Sequence, residues 1–361
     1  MALRIFWTRA ERAYLEQAMA RVSRSFALMT PCFEAPLDGC LAIAYLLCRC
    51  ADNIEDCDSP LADKRSCFAQ MRGALAEPAT AATALCTWSG LAWDGLTTDE
   101  GAMMREGGAC PVWGLYASLP AGVRDCLSRW LAEMMMGMER TLDADAAPRF
   151  VTIDGLWILA EARDYHRYCY YVAGTVGHLI TDLAELHYEL PAQVALRLRG
   201  EAEAAGRALQ KTNILKDFMR DLDRGKSYLP ATWLHDAEFA PLRRQGAPPA
   251  WSAAVIGDVL HDLQRMLSYL EAIPPAATGF RLGLLLTWLP ALATLLRAGA
   301  RPEWLFTAQH DLKLDRPTMQ QLGRLARRCA AEPAELRGVF ASYANKIQSA
   351  WATAPLGDFH A

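Results

Sequence analysis

Asp52 and Asp56 stand four residues apart, and Asn213, Asp217 and Asp221 repeat that step further along the chain. In an α-helix such spacings put side chains on one face, so each set reads as a line of oxygen donors along one side of a helix. Arg49 and Tyr45 continue the first line backwards and Gln210 continues the second, while Lys216 and Lys226 lie close to the second in sequence. Neither line contains a thiol or an imidazole, which disfavours zinc and iron. Hard oxygen donors suit Mg²⁺, which takes one or two carboxylates, keeps several waters and bridges to substrate phosphates. With cations beside the acids, a Mg²⁺-bound diphosphate is the ligand such a site would hold. A polar line turned to solvent is the ordinary reading of either pattern alone; two lines of one design favour a site.

Diphosphate leaving an allylic carbon leaves a carbocation behind, which must be kept from water. Apolar helices supply the wall, and the faces of Phe26, Tyr45, Tyr168, Tyr171 and Phe218 could attract the cation. At Ser23, Arg24, Ser25 and Phe26, hydroxyls and a guanidinium sit at a helix end, where they read either as a cap with a surface charge or as phosphate ligands. From the residues alone the chain reads as an all-helical, Mg²⁺-dependent enzyme acting on a prenyl diphosphate.

These side chains need particular elements beneath them. The second line belongs to a helix from Gly206 whose other side is apolar at Ile214, Leu215, Phe218, Met219 and Leu222, and which Gly225 and Pro230 end. The first line closes a helix that starts near Pro36 and Asp38 and is apolar from Leu41 to Cys50 apart from Arg49 and Tyr45, the composition of a buried helix. Residues 5 to 30 read as an amphipathic helix followed by SRSF and a stop at Pro31. From Ser59 to Leu119 short helical pieces are expected, with an irregular loop at WDGLTTDEGAMMREGGACP. Helical periodicity returns at Val123 to Leu142 and at Leu156 to Leu183. In the latter, Gly174 and Gly177 each cost about 1 kcal/mol relative to Ala and imply a close approach to the backbone. The run Leu282 to Leu296, with Pro290 inside, is short of the ~20 residues that span a bilayer and reads as a kinked buried helix. Without strand patterns or repeats, the fold class is all-α, in a single domain over residues 1–361 with a core at about 15–300 and a helical extension at about 300–355.

Hydrophobic residues make up 52% of the chain and charged residues 22%, enough for one large core. A net charge of -4 and no basic stripe argue against a nucleic-acid partner. Eleven scattered cysteines, an odd number, read as reduced core thiols in a cytoplasmic protein, and the N-terminus lacks the apolar segment of a signal peptide.

Four stretches resemble the squalene/phytoene synthase family of head-to-head prenyl transferases: SRSFAL at 23–28, RCADNIED at 49–56, YCYYVAGTVG at 168–177 and QKTNILKDFMRDLDRGKSYLP at 210–230. The resemblance implies an isoprenoid-synthase-type helical bundle around a deep central cavity. Asp52 and Asp56 would hold Mg²⁺ on one side of it, and Asn213, Asp217 and Asp221 on the other. Arg49, Arg24 and Ser25 would contact diphosphate, Ser23, Phe26, Tyr45, Tyr171, Gln210, Lys216 and Lys226 would bind the substrate with them, and Tyr168 would be the catalytic tyrosine of proton transfer. The wording of QKTNILKD, the proline-containing helix and Lys313 in HDLKLDRPTM are similar to squalene synthases, which implies two farnesyl diphosphates joined through presqualene diphosphate and reduced by NADPH, with Lys313 at the nicotinamide cofactor. The alternatives are phytoene, dehydrosqualene or hydroxysqualene synthase without reduction, or a non-catalytic assembly protein of the family. Greasy substrate and product imply peripheral membrane contact, by a monomer. Arg220 stands where the family often has Glu, and Lys216 and Lys226 stand where Arg is common, which keeps the charge and loses the fork geometry.

Overall fold

The structure, a computed structural model, describes residues 5–23, 25–143, 148–234, 249–301 and 312–352. Of the expected site residues, Arg24 and the side chain of Ser25 lie outside them, as do His310 and Asp311 of the Lys313 segment. The described chain is all-α apart from one small sheet, and its contacts divide it into two compact units, residues 1–142 with 178–195, and 143–177 with 196–361.

In the first unit, α1 (Arg9–Val22) opens with a capping box in which Thr8 and Glu11 exchange side-chain and backbone bonds. The helix ends at Ser23, the start of the SRSF stretch expected at a helix end, and the Ser23 Oγ accepts the Phe26 N–H at 3.0 Å and so starts a further short helix, α2 (Ser25–Met29). Helix α3 (Leu37–Asp56) is buried along most of its length, as its composition predicts. Helices α4 (Leu61–Ala76), α5 (Ala81–Ala84), α6 (Thr98–Glu106), α7 (Pro111–Ser118) and α8 (Ala121–Thr141) follow. Helix α6 replaces the middle of the loop expected there, because Thr97 and Glu100 form a second capping box that starts a helix in polar sequence. Leu127, Leu131, Met134, Met135 and Met138 of α8 are buried, so the methionines pack the core.

The second unit contains what the periodicity missed. β1 (Phe150–Ile153) and β2 (Leu156–Leu159) form a hairpin whose turn residues Asp154 and Gly155 both have positive φ, 51° and 76°. That turn overrides the helical pattern expected from Leu156, and the helix begins only at α9 (Ala162–Cys169). A π-helical turn, Tyr170–Gly174, joins α9 to α10 (Thr175–Tyr188), after which come α11 (Ala192–Asp223) and β3 (Lys226–Ser227), which pairs parallel to β2. Then α12 (Pro249–Ala272), α13 (Thr278–Ala300), α14 (Arg316–Ala331) and α15 (Leu336–Ala352) complete the order.

Helix α13 runs 23 residues through Pro290, longer than the apolar run suggested. It is the one described helix long and apolar enough to cross a membrane, yet 61% of its most apolar window is buried, and Trp288 Nε1 donates to the Leu263 carbonyl at 3.0 Å. Nine of the eleven cysteines are buried, in keeping with core thiols.

Of the two costly glycines, Gly174 lies against side chains, where a Cβ would come within 3.0 Å of Tyr170 and 3.1 Å of Glu203, and Gly177 lies against backbone. A Cβ built on Gly177 would overlap the carbonyl oxygen of Ala202, and one built on Gly206 would overlap that of Ala173. The two backbones therefore touch where each lacks a side chain. Because the obstructing atoms are backbone, they cannot swing aside, and Gly206→Ala is expected to destabilise by about 3 kcal/mol, read from the denaturant midpoint.

Beside this contact, α9, α11 and α12 share a buried ionic network. Lys211, 1% exposed, places Nζ 2.6 Å from Asp258 and 2.7 Å from Asp262. Arg207 meets Asp262 with two bonds of 3.1 and 3.0 Å, and His166 Nε2 lies 2.8 Å from Asp258.

Candidate active site

The last two turns of α3 carry the first acid pair, Asp52 half-buried and Asp56 exposed. Arg49 Nη1 lies 3.5 Å from Asp52 Oδ2 and 3.9 Å from Glu100 Oε1, and its Nη2 donates to the Tyr45 hydroxyl at 2.9 Å. Tyr45 in turn donates to the Val22 carbonyl at 3.3 Å and stacks on Phe26, centroids 4.7 Å apart. Thus Phe26, Tyr45, Arg49 and Asp52 form one cluster. Ser23 is buried there, with its Oγ engaged by the Phe26 N–H. Glu100, brought in by α6, was not anticipated; its signal was the T-x-x-E of the capping box.

Burial pushes the Asp52 carboxyl up to about 6; Arg49 opposes this, while Asp56 and Glu100 reinforce it. Burial works against the Arg49 charge too, but Asp52, Tyr45 and Glu100 more than offset it, so the guanidinium stays charged.

The second line occupies the last three turns of α11. Asn213 is exposed and accepts from Lys216 Nζ at 3.2 Å, and Asp217 pairs with Arg220 Nη1 at 3.2 Å. Arg220, where the family often has Glu, therefore reaches the acid line from three residues on. Asp221 is pushed up to about 6 by burial and then by Asp217, against Lys226, Arg224 and Arg220. Gln210, half-buried, precedes Asn213 by three residues.

Gly225, at φ 77°, turns the chain out of α11 and into β3. There Lys226 is the register partner of Trp157, and its Nζ lies 5.4, 5.0 and 4.7 Å from the ring centroids of Phe150, Trp157 and Tyr228. Tyr228 also stacks on the buried Tyr168, centroids 4.6 Å apart and planes 22° from parallel. These three rings were not anticipated either; the Asp-Gly turn between two β-rich runs was the available signal. Tyr171 is buried on the π turn, and its carbonyl accepts from Thr175 Oγ1 at 2.7 Å. Lys313 is exposed, its carbonyl accepting from Arg297 at 2.8 Å.

Among the described residues no three His, Cys, Asp or Glu side chains converge as a ready-made metal cage. Each unit instead presents a carboxylate pair one turn apart, joined in α11 by an amide, with no thiol or imidazole. In each, one acid is held up to about 6 partly by its like-charged neighbour. That is the donor set and the crowding that Mg²⁺ relieves, since it takes few protein ligands and fills its shell with water and phosphate.

Comparison with known proteins places these clusters in context. The chain is 28% identical over 225 residues to the phytoene synthase of Pseudescherichia vulneris, covering 62% of this chain and 61% of that one. It is 27% identical over 279 residues to the squalene synthase of Eremothecium gossypii, covering 73% of this chain and 57% of that one. A stretch of 89 residues, 24% of this chain, is 39% identical to 15% of the bifunctional lycopene cyclase/phytoene synthase of Arthroderma gypseum. The chain thus spans less than two thirds of the length of these relatives. Its fold matches that of TcSQS in complex with the ligand BPH1237, at TM-score 0.76 and 20% identity, over 97% of this chain and 94% of that one. It also matches a dehydrosqualene synthase bound to a ligand, at TM-score 0.60 and 18% identity, over 89% and 96% of the two chains. These likenesses identify the fold as the all-α isoprenoid-synthase type. A family model described as squalene/phytoene synthase covers residues 19–322, from Met19 of α1 into α14, and takes in all five expected metal ligands; the chain belongs to the squalene/phytoene synthase family.

Proposed function

We propose that this chain catalyses the Mg²⁺-dependent head-to-head condensation of two farnesyl diphosphates through presqualene diphosphate, followed by NADPH reduction to squalene. The family is one of prenyl transferases that carry out head-to-head prenyl diphosphate condensation. The observation that carries the reading is the pair of acidic clusters, each with a raised carboxyl beside cations: Asp52 and Asp56 with Arg49, and Asn213, Asp217 and Asp221 with Lys216 and Lys226.

In this reading each cluster holds Mg²⁺, which when bound neutralises the leaving diphosphate. Arg49 and Lys226 meet diphosphate oxygens, and Ser23, Arg24, Ser25, Gln210 and Lys216 position the substrate. The allylic C–O bond breaks with its electron pair going to diphosphate, the double bond of the second substrate attacks the cation, and the adduct loses a proton that the Tyr168 oxygen moves. The rings of Phe26, Tyr45 and Tyr171 face the cation and exclude water. Lys313 serves NADPH. The protein acts as a monomer in the cytoplasm, in peripheral contact with the membrane that holds its product.

The phytoene synthase of P. vulneris matches the chain about as well as the squalene synthase of E. gossypii, which favours carotenoid-type condensation as a second reading. Product analysis by gas chromatography with mass detection separates them. Purified protein with farnesyl diphosphate and Mg²⁺ is expected to yield squalene only when NADPH is added. Dehydrosqualene or hydroxysqualene with and without NADPH, or phytoene from geranylgeranyl diphosphate, would move the chain to a non-reducing branch. No consumption of either substrate would leave a non-catalytic assembly protein.

A further inference from the structure

The small sheet of the second unit brings together two groups from separate elements. Lys226 carries a flexible four-carbon stem that would leave its charge free to wander. Here Phe150 from β1, Trp157 from β2 and Tyr228 just beyond β3 surround its ammonium, at 5.4, 5.0 and 4.7 Å from the three centroids. The rings brace one another: Phe150 stacks on Trp157 at 4.1 Å and meets Tyr228 edge-on at 6.2 Å. The backbone fixes the cage as well, since Trp157 N–H donates to the Gly225 carbonyl at 2.8 Å and pairs in register with Lys226. Tyr228 alone among the three rings also stacks on Tyr168.

We propose that Tyr228 is a positioning residue of the reaction: its ring holds the Lys226 ammonium and the Tyr168 ring in one fixed relation, with Phe150 and Trp157 closing the cage. The inference rests on the reading that Lys226 meets diphosphate and Tyr168 moves the proton. Tyr228 touches neither reacting atom. It makes the place of the cation and the place of the phenol a single geometric fact, set by the sheet. This gives the sheet a purpose in a chain that is otherwise helical: two helix ends, α9 and α11, receive a common rigid reference.

The test uses the full chain with farnesyl diphosphate, and with geranylgeranyl diphosphate if that is the better substrate, in Mg²⁺. Turnover, KM and melting temperature are measured for the parent, Tyr228→Leu, Tyr228→Phe, Lys226→Met, the Tyr228→Leu/Lys226→Met double variant and Tyr168→Phe. Loss of the ring in Tyr228→Leu is expected to lower kcat about 10- to 100-fold, the scale of a misplaced catalytic group, at a melting temperature close to the parent's. Tyr228→Phe, which keeps the ring, is expected to stay within about threefold of the parent. The double variant is expected to lose less in kcat/KM than the product of the two single losses, because both break one arrangement.

Parent-like turnover by Tyr228→Leu, or independent losses in the double variant, would overturn the proposal. So would failure of Tyr228→Phe to rescue. Should Tyr228→Leu prove unstable, the same cycle run with Tyr228→Met in its place decides by the same criterion. A parent without turnover on either substrate overturns the functional reading itself. A parent that turns over, with Tyr168→Phe inactive and Tyr228→Leu unchanged, overturns only the positioning role.

Discussion

Asp52→Ala is expected to lower Mg²⁺-supported turnover about a thousandfold, the equivalent of several kcal/mol of lost charge stabilisation, while leaving the protein folded. The fold should survive because this carboxylate is an electrostatic burden on it. Burial, Asp56 and Glu100 hold it up to about 6, and its nearest cation, Arg49, keeps Tyr45 and Glu100 as partners when the acid is gone. Asp217→Ala is expected to cost as much, since it removes one of the two carboxylates that would hold Mg²⁺ in the other unit, even though it relieves the crowding of Asp221. Steady-state kinetics over a Mg²⁺ titration, with melting curves as control, checks both, and unchanged turnover in either variant would sink the metal assignment for that cluster.

The pH dependence has a definite sign. Asp52 and Asp221 are raised in the folded chain, so without metal their contribution favours folding below the ordinary carboxylate value near 4 and is lost as the pH rises through about 6. Metal ligation requires the ionised form, so protons compete with Mg²⁺ below about 6. Millimolar Mg²⁺ is therefore expected to raise the melting temperature at pH 8 and to do little at pH 5.

Lys211→Met should be the most damaging single change to stability, at about 3–5 kcal/mol. The ammonium is 1% exposed and sits between two carboxylates, of which Asp262 is itself fully buried. Burial pushes Asp258 up, and His166 and Lys211 more than offset it, so the acid sits below its usual range. Methionine fills similar space but leaves Asp262 to Arg207 and Asp258 to His166, with a buried negative charge uncompensated. Pairing Lys211→Met with Asp262→Leu is expected to recover part of the loss, because apolar residues tolerate burial where half of an ion pair does not. Chemical unfolding of parent, single and double variants measures this; a single-variant loss under about 1 kcal/mol would mean that the network does not bind the helices.

The acid lines were legible in the sequence because a helix repeats every 3.6 residues and the lines sit on α3 and α11, both long and both apolar opposite the acids. Arg49 and Tyr45 were readable for the same reason, as members of the first line, and Phe26 from its place in the SRSF stretch. The close approach at Gly177 was legible for a different reason: glycine in a helix interior is a local loss that only a tertiary contact repays, whereas its counterpart Gly206 was read only as the start of the acid-bearing helix. What escaped were features whose signals are short. β3 is two residues long, and no pattern can be seen in two residues. β1 and β2 are four residues each, and their Asp-Gly turn was the one strong cue. With the sheet went Phe150, Trp157 and Tyr228. Helix α6 escaped because its cap, not its hydrophobicity, defines it. Lys211 and Asp262 escaped because burial of a charge depends on partners 51 residues apart in the chain, which spacing along one helix cannot reveal.

The π turn at Tyr170–Gly174 joins Tyr168 to the glycine contact with one residue more than an α-helix would use. Such a turn behaves as an insertion absorbed without a loop. Removing any one residue from 170–174 would restore an unbroken α-helix and leave the turns on either side facing as they do, because the wide turn already absorbs the extra residue. The length of YCYYVAG is thus as much a part of the site as its letters: among relatives, a one-residue gap inside this helix would mark the loss of the wide turn that carries Tyr170 and Tyr171, while Tyr168 and the glycine contact kept their faces.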